Sequence, residues 1–564
     1  MAEPSRARWI ALAAVLAAIQ AALLARTAWD KSDTIDEPHY LQAAISQWTR
    51  RDFSRYCDGP PLPRWAFALA LRVVDPPLFD LDSRAGRHPL WSRAYGPMRR
   101  NLFVARLPTI LVTVAGGLFL WAACRRFGEE AAALAHALWC VSPTVLANGA
   151  LATLDAWAAS LLAVALWAVE RAHGRPTAGR WAVAGAALGL AAASKVTALG
   201  AVPVALAVAA HAVGGGARRS LRAGMAMAAG GALVVWACYA FSVGAVDLAH
   251  LCGRDTPLPA WRLRAVPAPA WLEGLAMQWL HGRKGHLGYL FGEVGTRGWW
   301  WFYLAALALK TTVGAQLLVL LRLASWLRAR PTWTQLAVDA ALLAYPVLLL
   351  VVMSAGRAQN GIKYLLPAFP LALAWLGRAL PDAARAFGRR GAAAAFALAL
   401  LAAAESLAVH PHHLMFFNAW AGGPDGGPRY LIVGDDWGQD QRRLGEWQRT
   451  RRPWRLFYTF YNGDPQHWTV TFLKPPCQPE PGFYALHAVE VHRPKRIARG
   501  CLDWLTVEPP DARLGHSIYL YQVTRARIER LLVLRGRVTP FWASGGQGGS
   551  APPPPDAADA PNEP

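Results

Sequence analysis

The chain has 564 residues, 54% of them hydrophobic and only 17% charged, with a formal net charge of +22. This excludes an ordinary soluble domain, since the apolar residues gather in runs long enough to cross about 30 Å of hydrocarbon. The positive charge does not indicate nucleic acid, because the arginines fall in short clusters between apolar runs, as the positive-inside rule describes for cytoplasmic loops.

About eleven spans are predicted, at 8–28, 102–123, 130–148, 153–170, 180–194, 196–212, 223–243, 298–321, 333–353, 364–381 and 390–408. Arg6 and Arg8 precede the first run in the manner of a signal peptide. The run is long for an h-region and more follow, so it reads as a retained span with its N-terminus inside. Ser194-Lys195 is either a tight turn between two spans or an interruption within one. Arg125/Arg126, Arg171/Arg175/Arg180, Arg218/Arg219/Arg222, Arg322/Arg328/Arg330 and Arg385/Arg389/Arg390 all fall between even and odd spans. Their common phase assigns those loops to the cytoplasm. Asp36, Asp155 and Lys195 then share the extracytoplasmic face, where they can line one cavity.

The first outer loop, 29–101, begins with Thr34-Ile35-Asp36-Glu37-Pro38-His39-Tyr40. An ionisable pair at a membrane boundary is costly and marks a candidate site. Thr34 and Glu37 also have capping-box spacing, with Pro38 tolerated in the first turn, which explains Glu37 and leaves Asp36 unexplained. From Tyr40, helical spacing of Leu41, Ala44, Ile45 and Trp48 predicts an amphipathic helix lying in the interface. Cys57 to Trp65 is a proline-fixed crossing. The second outer loop, 244–297, mixes Trp271, Trp279, His281, Arg283, Lys284, His286, Tyr289 and Arg297. This suits either a lid over a phosphate headgroup or an aromatic belt.

After residue 408 the character changes. Strands are predicted at Tyr430–Val433, Leu456–Phe460, Phe483–Leu486 and Ile518–Val523, with a helix from Trp437 to Arg449. The chain thus divides into a transmembrane unit (1–408), a small extracytoplasmic α/β domain (409–543) and a tail (544–564) disordered by composition. Cys477–Cys501 is the expected disulfide, although spacing does not fix connectivity. Asp435, Asp436 and Asp440 read as helix caps rather than metal ligands. His410, His412 and His413 read as interface histidines, and no zinc site is expected.

Several of these pieces carry a resemblance. Thr34-Ile35-Asp36-Glu37-Pro38, Pro60-Pro61-Leu62, Thr153-Leu154-Asp155, Gly288-Tyr289-Leu290-Phe291-Gly292, Lys363-Tyr364-Leu365-Leu366-Pro367 and Asp435-Asp436-Trp437-Gly438-Gln439-Asp440 occur in one order along the chain. They resemble polytopic GT-C glycosyltransferases, and among them the bacterial relatives of the protein O-mannosyltransferases (glycosyltransferase family 39). The resemblance implies a polyprenyl-phosphate sugar donor, transfer with inversion on the outer face of a bacterial inner membrane, and a protein, lipid or glycan hydroxyl as acceptor. No cofactor is expected, and a divalent cation is not predicted.

A sugar phosphodiester carries its own leaving group, so the protein must supply a base and cations for the departing phosphate. The resemblance assigns the base to Asp36, with Glu37 beside it, and makes Asp155 the second acidic position. The same Asp155 also reads as a first-turn carboxylate favoured by the helix dipole. For phosphate, the resemblance points to Lys195, Lys363 and Tyr364, while Arg297 and Tyr289 are candidates by position. The family has His or Lys before the Pro-Pro pair. Here that residue is Gly59, and Arg64 is the expected substitute. The alternative reading is a non-catalytic transporter or glycan-binding scaffold of the same fold. A transporter places charge within spans near the midplane, and these spans are mostly clean.

Overall fold

The computed structural model describes residues 6–76, 96–459, 465–492 and 501–536. Phe460, the stretch 77–95 of the first outer loop and the tail 544–564 lie outside the described residues. Among those described, five helices are long and apolar enough to cross a membrane: Arg6–Asp30, Met98–Phe127, Ala217–Cys238, Trp333–Ala355 and Ile362–Ala408. Two bent pairs raise the number to seven if each is one span. Length and composition therefore do not reproduce the expected eleven. Asp155–Gly174 includes Asp155, Glu170 and Arg171, and Ala178–Ala192 has only 15 residues. Val196–Ala212 is a short apolar helix. The segments expected at 364–381 and 390–408 are separate helices: the backbone breaks at Gly388 (φ 62°), and a Cβ on Gly391 would lie 2.1 Å from the Ala383 carbonyl oxygen, so the second helix turns back against the first.

Local chemistry sets the two bends. Glu129–Val141 and Pro143–Gly149 meet at 57°. Between them Ser142 is extended, its hydroxyl accepts from the Val145 N–H at 3.5 Å, and Pro143 starts the next helix. Phe302–Lys310 and Val313–Arg328 meet at 105°, where the Thr312 hydroxyl caps the second helix through the Ala315 N–H at 3.3 Å. The segment expected as a straight span over 298–321 is thus two helices.

Small residues bring helices to backbone contact. A Cβ on Gly185 would lie 2.0 Å from the Met227 carbonyl oxygen, and one on Gly230 would lie 2.1 Å from that of Ala182. Helices Ala178–Ala192 and Ala217–Cys238 therefore pack in the small-residue mode of membrane helices. Three of the arginine-bearing turns gather at one end. Arg126 pairs with Glu170, Arg180 donates to the Arg171 carbonyl at 3.1 Å, and His173 stacks on His211.

At the other end the outer loops meet. The first loop forms the helix Glu37–Arg50, burying Leu41, Ala44 and Ile45, and then the helix Leu62–Val74. The second loop forms a four-stranded antiparallel sheet within 243–267. A disulfide between Cys57 and Cys252, which was not anticipated, ties the two loops together.

Beyond residue 408, Leu456–Thr459 pairs parallel with Gly482–His487, and Ile518–Val523 continues the sheet antiparallel, with Ala512–Leu514 at its edge. Helix Gln441–Arg451 precedes this sheet, and Cys477 and Cys501 are bridged as expected. The expected strand Tyr430–Val433 is instead irregular, joined to the second outer loop by a single bridge between Leu431 and Leu290.

His487 is fully buried, with its Nδ1 3.0 Å from the Asp436 carboxylate and its Nε2 2.6 Å from the Tyr458 hydroxyl. Burial opposes the charged ring, yet Asp436 outweighs it and holds the His487 pKa above the ordinary value. A folded pKa above the unfolded one (about 6.5) stabilises fully below that pH, and the contribution is lost as pH rises through the folded value. Thermal unfolding of the purified protein should therefore show a Tm that falls from pH 6 to pH 9. An Asp436→Asn protein should lose most of that slope.

Candidate active site

The first helix ends at Asp30, and the next residues cross to the helix Glu37–Arg50 under control of one buried cation. The Arg106 guanidinium is fully buried and grips the Glu37 carboxylate through Nε (2.7 Å) and Nη2 (2.6 Å). Its remaining hydrogens go to the carbonyls of Ala28 (2.8 Å), Lys31 (2.9 Å) and Ser32 (2.8 Å). Glu37 also accepts from the Thr34 N–H (2.9 Å), the Thr34 hydroxyl (3.1 Å) and the Ala152 N–H (2.8 Å). Its oxygens are saturated and sealed from solvent, so Glu37, expected beside Asp36 as a catalytic carboxylate, is placed to shape the loop. The Thr34–Glu37 contact realises half of the anticipated capping box.

Asp36 sits at the N-cap position, but its side chain makes no capping bond. Its carboxylate is 22% exposed, unlike that of Glu37, and accepts from Lys363 Nζ at 3.0 Å. Asp155 opens the helix Asp155–Gly174, where the helix dipole favours it, and pairs with Lys195. Tyr364 lies between the two pairs, its ring centroid 4.4 Å from Lys195 Nζ and 5.8 Å from Lys363 Nζ. The structure thus brings Asp36, Asp155, Lys195, Lys363 and Tyr364 into one cluster. These residues are separated by up to 328 positions in the chain, since 364 − 36 = 328.

Tyr40 and Tyr56 wall the cluster, edge to face at 5.0 Å, and His39 stacks on Tyr56. Burial, reinforced by carboxylates that include Asp36, pushes both phenols well above their usual pKa and keeps them neutral donors. Burial likewise raises Asp58, against the opposing charges of His281 and Arg64. Two carboxylates and two ammoniums leave the cluster close to neutral.

Three expected binding residues lie elsewhere. Arg64 is fully buried and donates through Nη1 to the carbonyls of Arg55 (2.8 Å) and Tyr56 (3.5 Å), which braces the loop, while its Nε and Nη2 have no hydrogen-bond partner among the described residues. Tyr289 donates its hydroxyl to the Arg429 carbonyl at 2.7 Å, and Arg297 is exposed in the loop before Phe302–Lys310. Gly59 has a packing reason: a Cβ there would lie 3.0 Å from the Leu154 side chain and 3.1 Å from Tyr40. A basic side chain at this position would have to displace the wall of the site.

Asp440 stands at the N-cap position of the helix Gln441–Arg451 as expected but makes no side-chain capping bond, and the three acids instead take charged partners. Asp435 pairs with Lys310 at 2.5 Å, Asp436 with His487, and Asp440 with Lys31 at 2.6 Å. Trp437, within that stretch, places its ring centroid 3.4 Å from Lys363 Nζ. Sequence reading missed Arg106, Lys31 and Trp437 as parts of the site; only the density of acids around Trp437 hinted at buried cationic partners. His413 is buried rather than interfacial. Among the described residues, no group of three or more His, Cys, Asp or Glu side chains is arranged to hold a metal ion.

Residues 98–243, about a quarter of the chain, match the family model of dolichyl-phosphate-mannose-protein mannosyltransferases. This agrees with the resemblance read from the sequence, since both are families of membrane glycosyltransferases that use a lipid-phosphate sugar. The structure is similar to ArnT from Cupriavidus metallidurans bound to undecaprenyl phosphate (13% identity, TM-score 0.48, covering 92% of this chain and 98% of that one). Against apo ArnT the identity is 18% and the TM-score 0.44; the match covers 70% of this chain and spans 64% of the ArnT chain. The Saccharomyces cerevisiae protein O-mannosyltransferase Pmt1-Pmt2 complex bound to the sugar donor gives 13% identity and a TM-score of 0.48, covering 73% and 90%. All three scores fall below 0.5. A comparison with curated proteins finds no match.

Arg106→Leu would leave Glu37 charged and buried without its partner, at a cost of roughly 3–5 kcal/mol. We expect its abundance in membranes to collapse, as read by immunoblot, whereas Asp36→Asn should accumulate at the wild-type level.

Proposed function

We propose that the chain is an integral membrane glycosyltransferase that moves a sugar from a polyprenyl-phosphate donor to an acceptor hydroxyl on the extracytoplasmic face, with inversion. The observation that carries this reading is the pairing of Asp36 with Lys363 and of Asp155 with Lys195 on either side of Tyr364. The family match adds the donor class, a sugar on a lipid phosphate.

In this reading the donor phosphate enters between Lys195 and Lys363, and neutral Tyr364 and Tyr56 supply hydroxyl donors. The ammoniums stabilise charge that develops on the phosphate oxygens as the glycosidic bond breaks, which is electrostatic catalysis aimed at the leaving group. No protein acid is needed. Asp36, the more exposed of the two carboxylates, takes the proton of the acceptor hydroxyl. Asp155 is held by Lys195 and orients that lysine, and Asp36 is released as the base when the phosphate takes up Lys363. With Asp155 tied to Lys195, no second carboxylate is available as a nucleophile, which favours a single displacement, hence inversion. The disulfides Cys57–Cys252 and Cys477–Cys501 support an oxidising compartment for the outer loops and the C-terminal unit. The arginine clusters support a cytoplasmic N-terminus.

The acceptor, whether protein, lipid or glycan, is to be identified from the glycans and glycoproteins missing in a deletion strain. With that acceptor and lipid-linked sugar in membranes, Asp36→Asn should reduce kcat by roughly 100-fold or more, the range of a lost general base. Wild-type turnover in this variant would remove the proposed base. Lys195→Met should act chiefly on the donor, raising its KM by roughly 10-fold or more as a charged contact to phosphate is lost.

A further inference from the structure

Lys363 has a second neighbour whose role the proposed chemistry leaves open. Its ammonium stands 3.4 Å from the centroid of the Trp437 ring, closer than any other cation–ring approach among the described residues. The same tryptophan reaches the loop of the base through its backbone, since its carbonyl accepts the Ile35 N–H at 3.1 Å. The following residues extend this seam: the Gln439 carbonyl accepts the Ser32 N–H at 3.0 Å, and the Gly438 carbonyl accepts the Ser32 hydroxyl at 3.1 Å. Asp440 closes it on Lys31 at 2.6 Å. Trp437 itself is held by its own N–H donating to Gln439 Oε1 at 2.6 Å, and it is 4% exposed.

We infer that Trp437 is a positioning residue: its ring fixes the Lys363 ammonium and its carbonyl fixes the strand leading to Asp36, so one residue sets both halves of the pair. This rests on the proposed function and adds to it a task for the C-terminal unit, which delivers Trp437 to the membrane-embedded site. The electron-rich face attracts an ammonium electrostatically, and the attraction grows where water is excluded. An ammonium held against the ring keeps its remaining hydrogens directed toward Asp36 and toward an incoming phosphate. Without that face the lysine is free to reorient, and the two cations no longer stand ready on either side of Tyr364.

The test changes the electrostatics of the ring and nothing else. Fluorinated tryptophans are incorporated at position 437 alone by suppression of an amber codon in the full-length protein. Each added fluorine withdraws charge from the ring face while leaving its shape and its N–H in place. Two quantities are read: the affinity of the purified protein for undecaprenyl phosphate in detergent, and kcat in membranes. Both should fall stepwise along the series, by roughly 3- to 30-fold in total for a desolvated cation–π contact, with unchanged abundance and Tm. A purely structural Trp437 would tolerate fluorination. Flat affinity and flat kcat, with Asp36→Asn still inactive, would overturn this inference and leave the proposed function standing. A wild-type protein that neither binds undecaprenyl phosphate nor transfers sugar would overturn both.

Discussion

Everything at the outer end of the bundle depends on the buried ion pair between Arg106 and Glu37. One guanidinium fastens a carboxylate and three carbonyls, and so fixes where the chain turns after the first helix. A pair sealed from water is costly to bury and is retained only when its hydrogen bonds are fully used. Here they are: Glu37 accepts from three different residues, one of them Ala152, three residues before Asp155. The two acidic loops are thereby registered against each other through a carboxylate sealed from solvent. Adjacent acids divide the labour, with Glu37 building the loop and Asp36 presenting itself.

The second organising feature is the way charge is distributed. Four lysines of the outer end each have their own acid: Lys31 has Asp440, Lys310 has Asp435, Lys363 has Asp36 and Lys195 has Asp155. The first two pairs are nearly inaccessible, whereas Asp36 and Lys195 retain some exposure. The accessible pairs are the ones beside Tyr364. Exposure, rather than the presence of charge, separates the groups able to meet a ligand from those that hold the architecture.

Much of this was legible in the sequence, for identifiable reasons. Asp36, Asp155, Lys195 and Lys363 are charges at the ends of apolar runs, and the phase of the arginine clusters sorts such ends by face without knowledge of packing. The disulfide Cys477–Cys501 and three of the four predicted strands followed from local composition. What failed was not local. Hydropathy counted 298–321 as one segment because the average does not register a cap at Thr312 that turns the chain through 105°. The acids at 435–440 resembled helix caps because their true partners, Lys310, His487 and Lys31, are far away in the chain. Arg64 lies one helical turn from Gly59 and was a reasonable phosphate ligand on spacing alone; only packing shows its side chain turned under the loop.

The bond between Cys57 and Cys252 has a consequence for biogenesis. Its partners are 195 residues apart, and the helices from Met98–Phe127 to Ala217–Cys238 lie between them. The covalent tie at the rim that carries Tyr56, Asp58 and Gly59 can therefore form only once the second loop has been synthesised and an oxidant has joined the two. The tie is thus a late event in assembly, set by thiol oxidation after the intervening helices have been made.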